Sequence, residues 1–495
     1  MTFNELIKLC KPLDVSGPEP EKLGPLTQDS REVGEDSVFI AVKGFEVDGH
    51  MFIENAISKG ASVVICEDSY YSDEDVCIIE VADTRSLVGP LAQAFEGYPA
   101  RELKIIGITG TNGKTTVATL TWQLLMEMGG ARPSLLGTVA KRIDDKVLDS
   151  LLTTADPIEL ARDMRSMVDA NSTHLVMEVS SHAIDQKRTA GFDFSVGAFT
   201  NLSHDHLDYH ESWQEYAKTK KKLFDGLNED AWAVINQDDE QGKFMALDCP
   251  AQIIDFSFKK PITYDCKVIS NSSEGLKLEI EGVEFESPLV GTFNAYNVAE
   301  AIFICKALGY EFTTIARALA NAKGAAGRLE RVESEHPEKQ PTVLVDYAHT
   351  PDALENVLST LSDLKTEKQK LHVIFGCGGD RDKTKRPKMA EVAEKFADII
   401  TVTSDNPRSE DPEEIIDQIV LGFNADTEVS RISVRKEAIE HAIAQADEHT
   451  MILIAGKGHE TYQEIKGKRH DFDDRKVALE ALKKRNHNSK TGEVA

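Results

Sequence analysis

One stretch of the 495-residue chain, Gly107-Ile-Thr-Gly-Thr-Asn-Gly-Lys-Thr-Thr116, constrains its fold more than any other. It follows an apolar run (Leu103, Ile105, Ile106) that reads as a buried strand. It precedes Val117, Leu120, Leu124 and Met128, spaced along one helix face that Gly129 and Gly130 then stop. Strand, Gly-rich turn and helix in this order close backbone N–H groups on an anion, and the helix N-terminus adds partial positive charge. On that reading Lys114 reaches the outer phosphates and the Thr115 hydroxyl ligates Mg²⁺. The standard spacing wants a glycine where this chain has Ile108; its glycines stand at 107, 110 and 113. An ordinary Gly-rich turn is the alternative. Lys-Thr-Thr at the start of the helix favours a nucleoside triphosphate site.

Length bounds the architecture at two to four domains, at roughly 150 residues each. With 41% hydrophobic and 28% charged residues, the composition is that of a globular protein with ample core. No apolar run approaches the ~18 residues of a membrane span, and no export signal is read at Met1-Thr-Phe-Asn-Glu-Leu. The seven cysteines are scattered without metal-ligand spacing, which fits reduced thiols in a cytoplasm. A net charge of −28 argues against nucleic acid as a partner. Any anionic substrate must then be held by local Lys, Arg and backbone N–H groups.

Residues 1–98 form a first unit, with strands at Val38 to Val42 and Ala61 to Ile65 and a helix from Phe52 to Lys59. The turn Thr27-Gln-Asp-Ser-Arg31 precedes them, and simple turn chemistry accounts for it. Residues 99–332 carry the phosphate loop. Thr153-Thr-Ala-Asp-Pro157 is a polar turn that caps a helix. Two strands, His174 to Glu178 and Ala198 onward, end in polar bursts: Glu178-Val-Ser-Ser-His182 and Asn201-Leu-Ser-His-Asp-His206. Ligands bind at the carboxyl ends of strands in open α/β sheets, so Glu178 and the His/Asp cluster suit Mg²⁺ as well as they suit structural roles. Lys218, Lys220, Lys221 and Lys222 read as a solvated helix face. Alternation from Leu276 to Phe285 reads as a hairpin. Gly291 to Asn297 leads into a helix from Val298 to Leu308, and Gly327-Arg328 could set a guanidinium on a phosphate. Residues 333–495 alternate strand and helix, each strand ending in polar or Gly-rich sequence, as in a doubly wound parallel sheet. From about Asn486 a disordered tail is expected.

Together these motifs resemble the Mur ligases, the ATP-dependent amino-acid-adding enzymes of bacterial cell-wall precursor synthesis. Gly110 to Thr115, Asn201 to His206, Gly291 to Asn297, Gly327-Arg328 and Asp346-Tyr-Ala-His349 carry the family resemblance. Glu178 to His182 with Gln186 and Arg188, Gly378-Gly-Asp-Arg-Asp-Lys383, Asp405-Asn-Pro-Arg408 and Gly456-Lys-Gly-His-Glu460 look most like the members that extend UDP-N-acetylmuramoyl-L-alanyl-D-glutamate. The resemblance implies three α/β domains: an N-terminal substrate-nucleotide domain (1–98), a central P-loop-type parallel-sheet ATPase domain (99–332) and a C-terminal Rossmann-like doubly wound domain (333–495).

It also implies roles. Gly110, Thr111, Asn112, Gly113, Lys114, Thr115 and Thr116 would bind ATP, with Asn294 and Asn297 by the adenine, Asp346 by the ribose and Arg328 by the terminal phosphates. Ser30 would contact the uridine end of the substrate, whereas Phe45-Glu-Val47 departs from the family's pattern for uracil. Thr153, Thr154, Ser180, Gln186 and Arg188 would hold the muramoyl-dipeptide. Thr115, Glu178, His206 and a carbamylated Lys220 would ligate Mg²⁺, since a carbamate is an anion where a bare ammonium is not. Arg381, Asp405, Asn406, Pro407, Arg408, Gly456 and Glu460 would bind the incoming amino acid. That amino acid is expected to be meso-diaminopimelate, because Arg408 offers a fork for its distal carboxylate.

The implied chemistry is transfer of the γ-phosphate to a carboxylate, then attack by an amine on the acyl phosphate. Lys114, Arg328 and Mg²⁺ would offset the repulsion between the two anions. The nucleotide would sit between the second and third domains and be enclosed by their closure. A monomer in the cytoplasm is expected, without membrane insertion. The alternatives are an L-lysine-adding relative, a folylpolyglutamate-synthetase-like ligase, or a nucleotide-binding regulator without ligation chemistry.

Overall fold

The structure is a computed structural model that describes residues 1–44, 47–150, 152–203, 209–210, 212–272, 274–332 and 339–491, with side chains described as far as residue 485. The chain divides into two compact units, residues 1–265 with 299–315, and residues 266–298 with 316–495.

The first unit holds two sheets. The N-terminal one has five strands in the order Asp14–Ser16, Cys77–Glu80, Val63–Cys66, Val38–Ile40, Leu26–Thr27, parallel except for the first. Its three central strands are buried on both faces, so they read as continuous apolar runs, whereas the edge strand Asp14–Ser16 is exposed. Val38, Ile40, Val63 and Ile65 pack on one side, Phe39, Val64 and Ile78 on the other. The helices Thr84–Phe95 and Pro157–Asp169 share the first of these cores, because Val88 and Leu91 meet Ile158 and Ala161. Gly89 lets the chain at Ala190 come close: a Cβ there would stand 2.4 Å from Ala190 O.

The central sheet has eight strands in the order Gln252–Phe256, Trp232–Asn236, Phe194–Phe199, Lys104–Thr109, His174–Glu178, Pro133–Leu136, Lys141–Ile143, Lys146–Leu148. The first six run parallel, so their carboxyl ends lie along one edge. Lys104–Thr109 is flanked by Phe194–Phe199 and His174–Glu178, which sets Ile108 level with Glu178 and Thr109 level with Phe199. The phosphate loop therefore opens beside the two polar strand ends.

The second unit holds a three-stranded antiparallel sheet (Cys266–Ser272, Gly275–Ile280, Val283–Ser287) and a six-stranded one. The latter runs Glu330–Arg331, Thr342–Asp346, Thr450–Ala455, Lys370–Phe375, Ile399–Val402, Val429–Arg431, parallel after its first pair. A two-stranded hairpin, Tyr462–Ile465 with Lys468–Asp471, completes it.

Three local expectations change. The hairpin at 275–287 gains a third strand. The helix expected from Val298 begins six residues earlier, at Thr292 (Thr292–Ala307), so Asn294 and Asn297 sit on its opening turns rather than in a loop. The last helix, Asp474–Thr491, runs past Asn486, where a tail was expected; Ala478, Ala481 and Leu482 anchor its first turns in a core with Ile439 and Ile443.

Candidate active site

The phosphate loop links Lys104–Thr109 to the helix Lys114–Met128. Gly113 has φ +87° at the N-cap and supplies no side-chain cap, so the first-turn N–H groups remain available to an anion. Gly110 is required sterically, because a Cβ there would lie 1.8 Å from Thr200 Oγ1. Gly107, the glycine out of register with the usual motif, packs instead against the Phe194 ring, which a Cβ would approach to 2.6 Å. Asn201 pins the loop: its carbonyl accepts from Thr111 N–H at 2.8 Å and its Oδ1 from Asn112 N–H at 3.0 Å. Lys114 Nζ donates to Gly110 O and Thr111 O at 2.9 and 2.8 Å, folded over the loop it would share with a phosphate. Thr116 is buried in the first helical turn.

Glu178 ends its strand 1% exposed and accepts from the Thr115 hydroxyl at 2.9 Å and from Thr138 N–H at 2.7 Å. Thr115 and Glu178 thus converge as hard oxygen donors of the type Mg²⁺ takes. His206, expected beside them, lies outside the described residues, as do Phe45 and Glu46. Among the described residues there is no group of three or more His, Cys, Asp and Glu side chains able to hold a metal. Lys220 is 1% exposed on the helix Trp213–Asp225, where its ammonium donates to Gly110 O at 2.9 Å and lies 4.7 Å from the Tyr216 ring centroid. This corrects the solvated-face reading, which fails for Lys220 because the helix turns that position inward. As an ammonium it cannot ligate a metal. As a carbamate it could.

The other face of Glu178 leads to the residues expected to hold the dipeptide. Its carbonyl accepts from Thr154 Oγ1 at 2.8 Å, and Thr154 Oγ1 accepts from Ser180 N–H at 3.1 Å. Arg188 donates to Thr154 O at 2.6 Å and grips Gln186 Oε1 through Nε and Nη2 at 3.0 and 2.7 Å. Burial lowers the Arg188 pKa, and Asp156 opposes the shift. Thr153 Oγ1 accepts from Thr138 Oγ1 at 3.1 Å. Five of the six UDP-substrate candidates are therefore one hydrogen-bonded cluster. Ser30 is not in it; it stands in the N-terminal turn, where its carbonyl accepts from Lys59 Nζ at 2.9 Å. Sequence reasoning missed Tyr209, whose hydroxyl bonds Asp185 and Gln186 and whose ring lies 4.1 Å from that of His182. Its place in the polar run after Phe199 was the only available signal.

In the second unit, Asn297 Nδ2 donates to Asn294 Oδ1 at 2.9 Å, and Asn294 Nδ2 to Val290 O at 2.8 Å. Asp346 accepts from Leu329 N–H and Ala348 N–H at 2.7 and 2.8 Å. Burial raises its pKa, while Arg328 and these two N–H groups pull it back. Arg328 lies 5.1 Å from the Tyr347 ring centroid. Gly327 admits the chain at Gly458 and His459, which a Cβ would approach to 2.1 Å.

The amino-acid candidates gather at the ends of Ile399–Val402 and Thr450–Ala455. Asp405 Oδ1 accepts from Asn406 N–H at 2.6 Å, but buried Oδ2 has no partner among the described residues. It faces Gly456, where a Cβ would stand 2.5 Å away. Glu460 Oε2 accepts from Asn406 Nδ2 and from Lys457 Nζ, both at 2.8 Å. Arg408 Nη1 donates to Gly379 O at 2.8 Å. Pro407 is buried in the turn, and Arg381 is exposed.

Three supports were missed. Lys457 is wholly buried; the Gly-Lys-Gly-His-Glu string signalled it, but nothing in the string shows that Lys457 binds Glu460. Arg435, also buried, binds Asp474 with two nitrogens at 2.8 and 2.7 Å and donates to Ser404 O and Ala455 O at 3.4 and 3.0 Å. It ties together the residues leading into both pocket loops. The hairpin 462–471 closes on the 405–408 loop, and no sequence signal pointed there.

Fold and candidate site together define an α/β protein built on parallel sheets, with a strand–turn–helix of the phosphate-loop type in its central sheet. Residues 25–96, 108–305 and 327–458 match, respectively, the models for the Mur ligase family catalytic domain, the Mur ligase middle domain and the Mur ligase glutamate ligase domain. The chain is 42% identical over 486 residues to the UDP-N-acetylmuramoyl-L-alanyl-D-glutamate–2,6-diaminopimelate ligase of Cytophaga hutchinsonii, covering 97% of this chain and 99% of that one. It is 42% identical to the ligase of the same name from Geobacillus thermodenitrificans, covering 93% and 95%. A solved structure of a ligase with this name superposes with a TM-score of 0.72 at 31% identity, over 98% and 99% of the two chains. The chain belongs to the Mur ligase family.

Proposed function

We propose that this chain is an ATP-dependent carboxylate–amine ligase that adds meso-diaminopimelate to UDP-N-acetylmuramoyl-L-alanyl-D-glutamate through an acyl phosphate, releasing ADP and phosphate. One observation carries the chemistry. Glu178 touches Thr115 of the phosphate loop with its carboxylate and Thr154 of the dipeptide cluster with its carbonyl. A triphosphate on the loop and a carboxylate on the cluster would thereby meet at the same residue. The names borne by its relatives supply the substrates.

A carboxylate does not acylate an amine at neutral pH; phosphorylation gives it a leaving group. Lys114 leaves Gly110 O and Thr111 O for the phosphate oxygens, and the first-turn N–H groups hold them. Arg328 neutralises the terminal phosphates, with Asn294, Asn297 and Asp346 placing the nucleoside. Arg188 and Gln186 orient the dipeptide carboxylate, and Ser30 meets the uridine end. Mg²⁺, which Thr115, Glu178, His206 and carbamylated Lys220 would hold, supplies positive charge to the phosphate oxygens. Asp405 and Glu460 take the distal ammonium of the amino acid and order Arg408, which takes its distal carboxylate, and Arg381 helps to bind the carboxylates. The domains 1–98, 99–332 and 333–495 divide these tasks. Among the described residues no helix is long and apolar enough to cross a membrane. Seven scattered cysteines without metal-ligand spacing fit reduced thiols, and we place the enzyme in the cytoplasm.

The test is phosphate release across a panel of amino acids. Release should require both the UDP-dipeptide and meso-diaminopimelate, and L-lysine should not substitute. Without amino acid, isotopic label in the bridging oxygen of ATP should scramble. Release of AMP instead of ADP, or equal use of L-lysine, would overturn the reading.

A further inference from the structure

The hairpin 462–471 holds the 405–408 loop by its backbone. Arg408 N–H donates to Glu464 O at 3.0 Å, and Arg408 O accepts from Lys466 N–H at 2.6 Å. Asn406 Oδ1 accepts from Glu464 N–H at 2.9 Å, and Gln463 Nε2 donates to Asp405 O at 2.6 Å. This clamp keeps Arg408 at φ +51°, a conformation that non-glycine residues seldom adopt. The clamp also brings a carboxylate to the guanidinium. Glu464 Oε2 lies 3.6 Å from Arg408 Nε, while Nη1 is held by Gly379 O.

We infer that Glu464 is an internal stand-in for the distal carboxylate of the amino-acid substrate: it presets the Arg408 fork before the substrate arrives and is displaced by it. The inference rests on the reading of Arg408 given above. At 3.6 Å the contact is longer than a charge-assisted hydrogen bond, which runs about 2.7–2.9 Å, so it orients without locking. The two side chains are 23% and 26% exposed, so a displaced Glu464 carboxylate passes to water at small cost. A substrate ending in a lone ammonium cannot make the exchange. It leaves the Arg408–Glu464 pair intact and meets a guanidinium of its own sign. Glu464 therefore contributes to specificity by raising the threshold for entry, and only a carboxylate crosses it.

Glu464→Gln keeps the shape and both backbone bonds while removing the competing charge. KM for meso-diaminopimelate should fall about two- to fivefold at low salt, the range of a partly exposed ion pair. The gain should shrink at high salt, with kcat and KM for ATP holding. A merely structural role would raise KM or lower kcat instead. Unchanged unfolding midpoints verify the fold, and Glu464→Ala, which removes the whole carboxylate, should move KM the same way. Arg408→Ala is measured in parallel. If it leaves KM for meso-diaminopimelate unaltered, the reading of Arg408 itself fails. If it raises KM while Glu464→Gln leaves KM unchanged or higher, the stand-in role is wrong.

Discussion

Replacing Arg408 with Ala tests the amino-acid pocket most directly. The variant deletes the fork that would grip the distal carboxylate, along with the bond from Nη1 to Gly379 O. Hydrogen bonds to charged groups contribute about 1.5–3 kcal/mol each. Breaking a fully buried pair costs ~3–5 kcal/mol. Arg408 is 23% exposed, so water can partly replace it and the lower end applies. A loss of about 2–3 kcal/mol corresponds to a rise of about 30- to 150-fold in KM for meso-diaminopimelate. Folding should change little. Ala at φ +51° bears the same left-handed strain as Arg, because both carry a Cβ. The lost bond to Gly379 O should cost ~1.5 kcal/mol and lower Tm by a few degrees. The assay is phosphate release against meso-diaminopimelate at saturating ATP and UDP-dipeptide. Arg408→Lys should recover only part of the loss, since it restores charge without the planar fork. A rise in KM below about threefold, ~0.7 kcal/mol, or an equal rise for ATP, would refute the argument.

Lys220→Arg should be almost inactive although Arg can still donate to Gly110 O, because only Lys forms the carbamate; Lys220→Ala should regain some turnover with small carboxylic acids in the buffer. Wild-type activity in Lys220→Arg would remove the carbamate from the mechanism. Buried His372 has its pKa lowered to about 4 from 6.5, chiefly by burial, and bonds Thr401 Oγ1 at 2.8 Å. The unfolded chain therefore binds the extra proton first, so stability is full above about pH 6.5 and declines as pH falls towards about 4. Urea midpoints compared across that window should drop less in His372→Gln than in the wild type, and equal slopes would show that His372 does not carry the effect.

Local patterns decided much of this protein. Glycines at 110 and 113, Lys-Thr-Thr and a flanking strand determine a strand–turn–helix of the phosphate-loop type, because backbone conformation and helix-end charge are set within a few residues. Asp156 caps its helix as the turn at 153–157 implies, accepting from Ile158 and Glu159 N–H. The repeated strands ending in polar residues likewise announce parallel sheets with a functional edge. Tertiary structure decided what pairs across distance. Lys220 reads as surface beside Lys218 and Lys222, and only packing of its helix against the phosphate loop buries it. The tetrapeptide at 405–408 is legible, but Lys457 and Glu464 reach it, and Arg435 reaches Ser404 beside it, from 31–56 positions further along the chain. Such contacts leave no periodicity or spacing in the sequence, because side chains distant in sequence meet only once the sheet has brought its strand ends together.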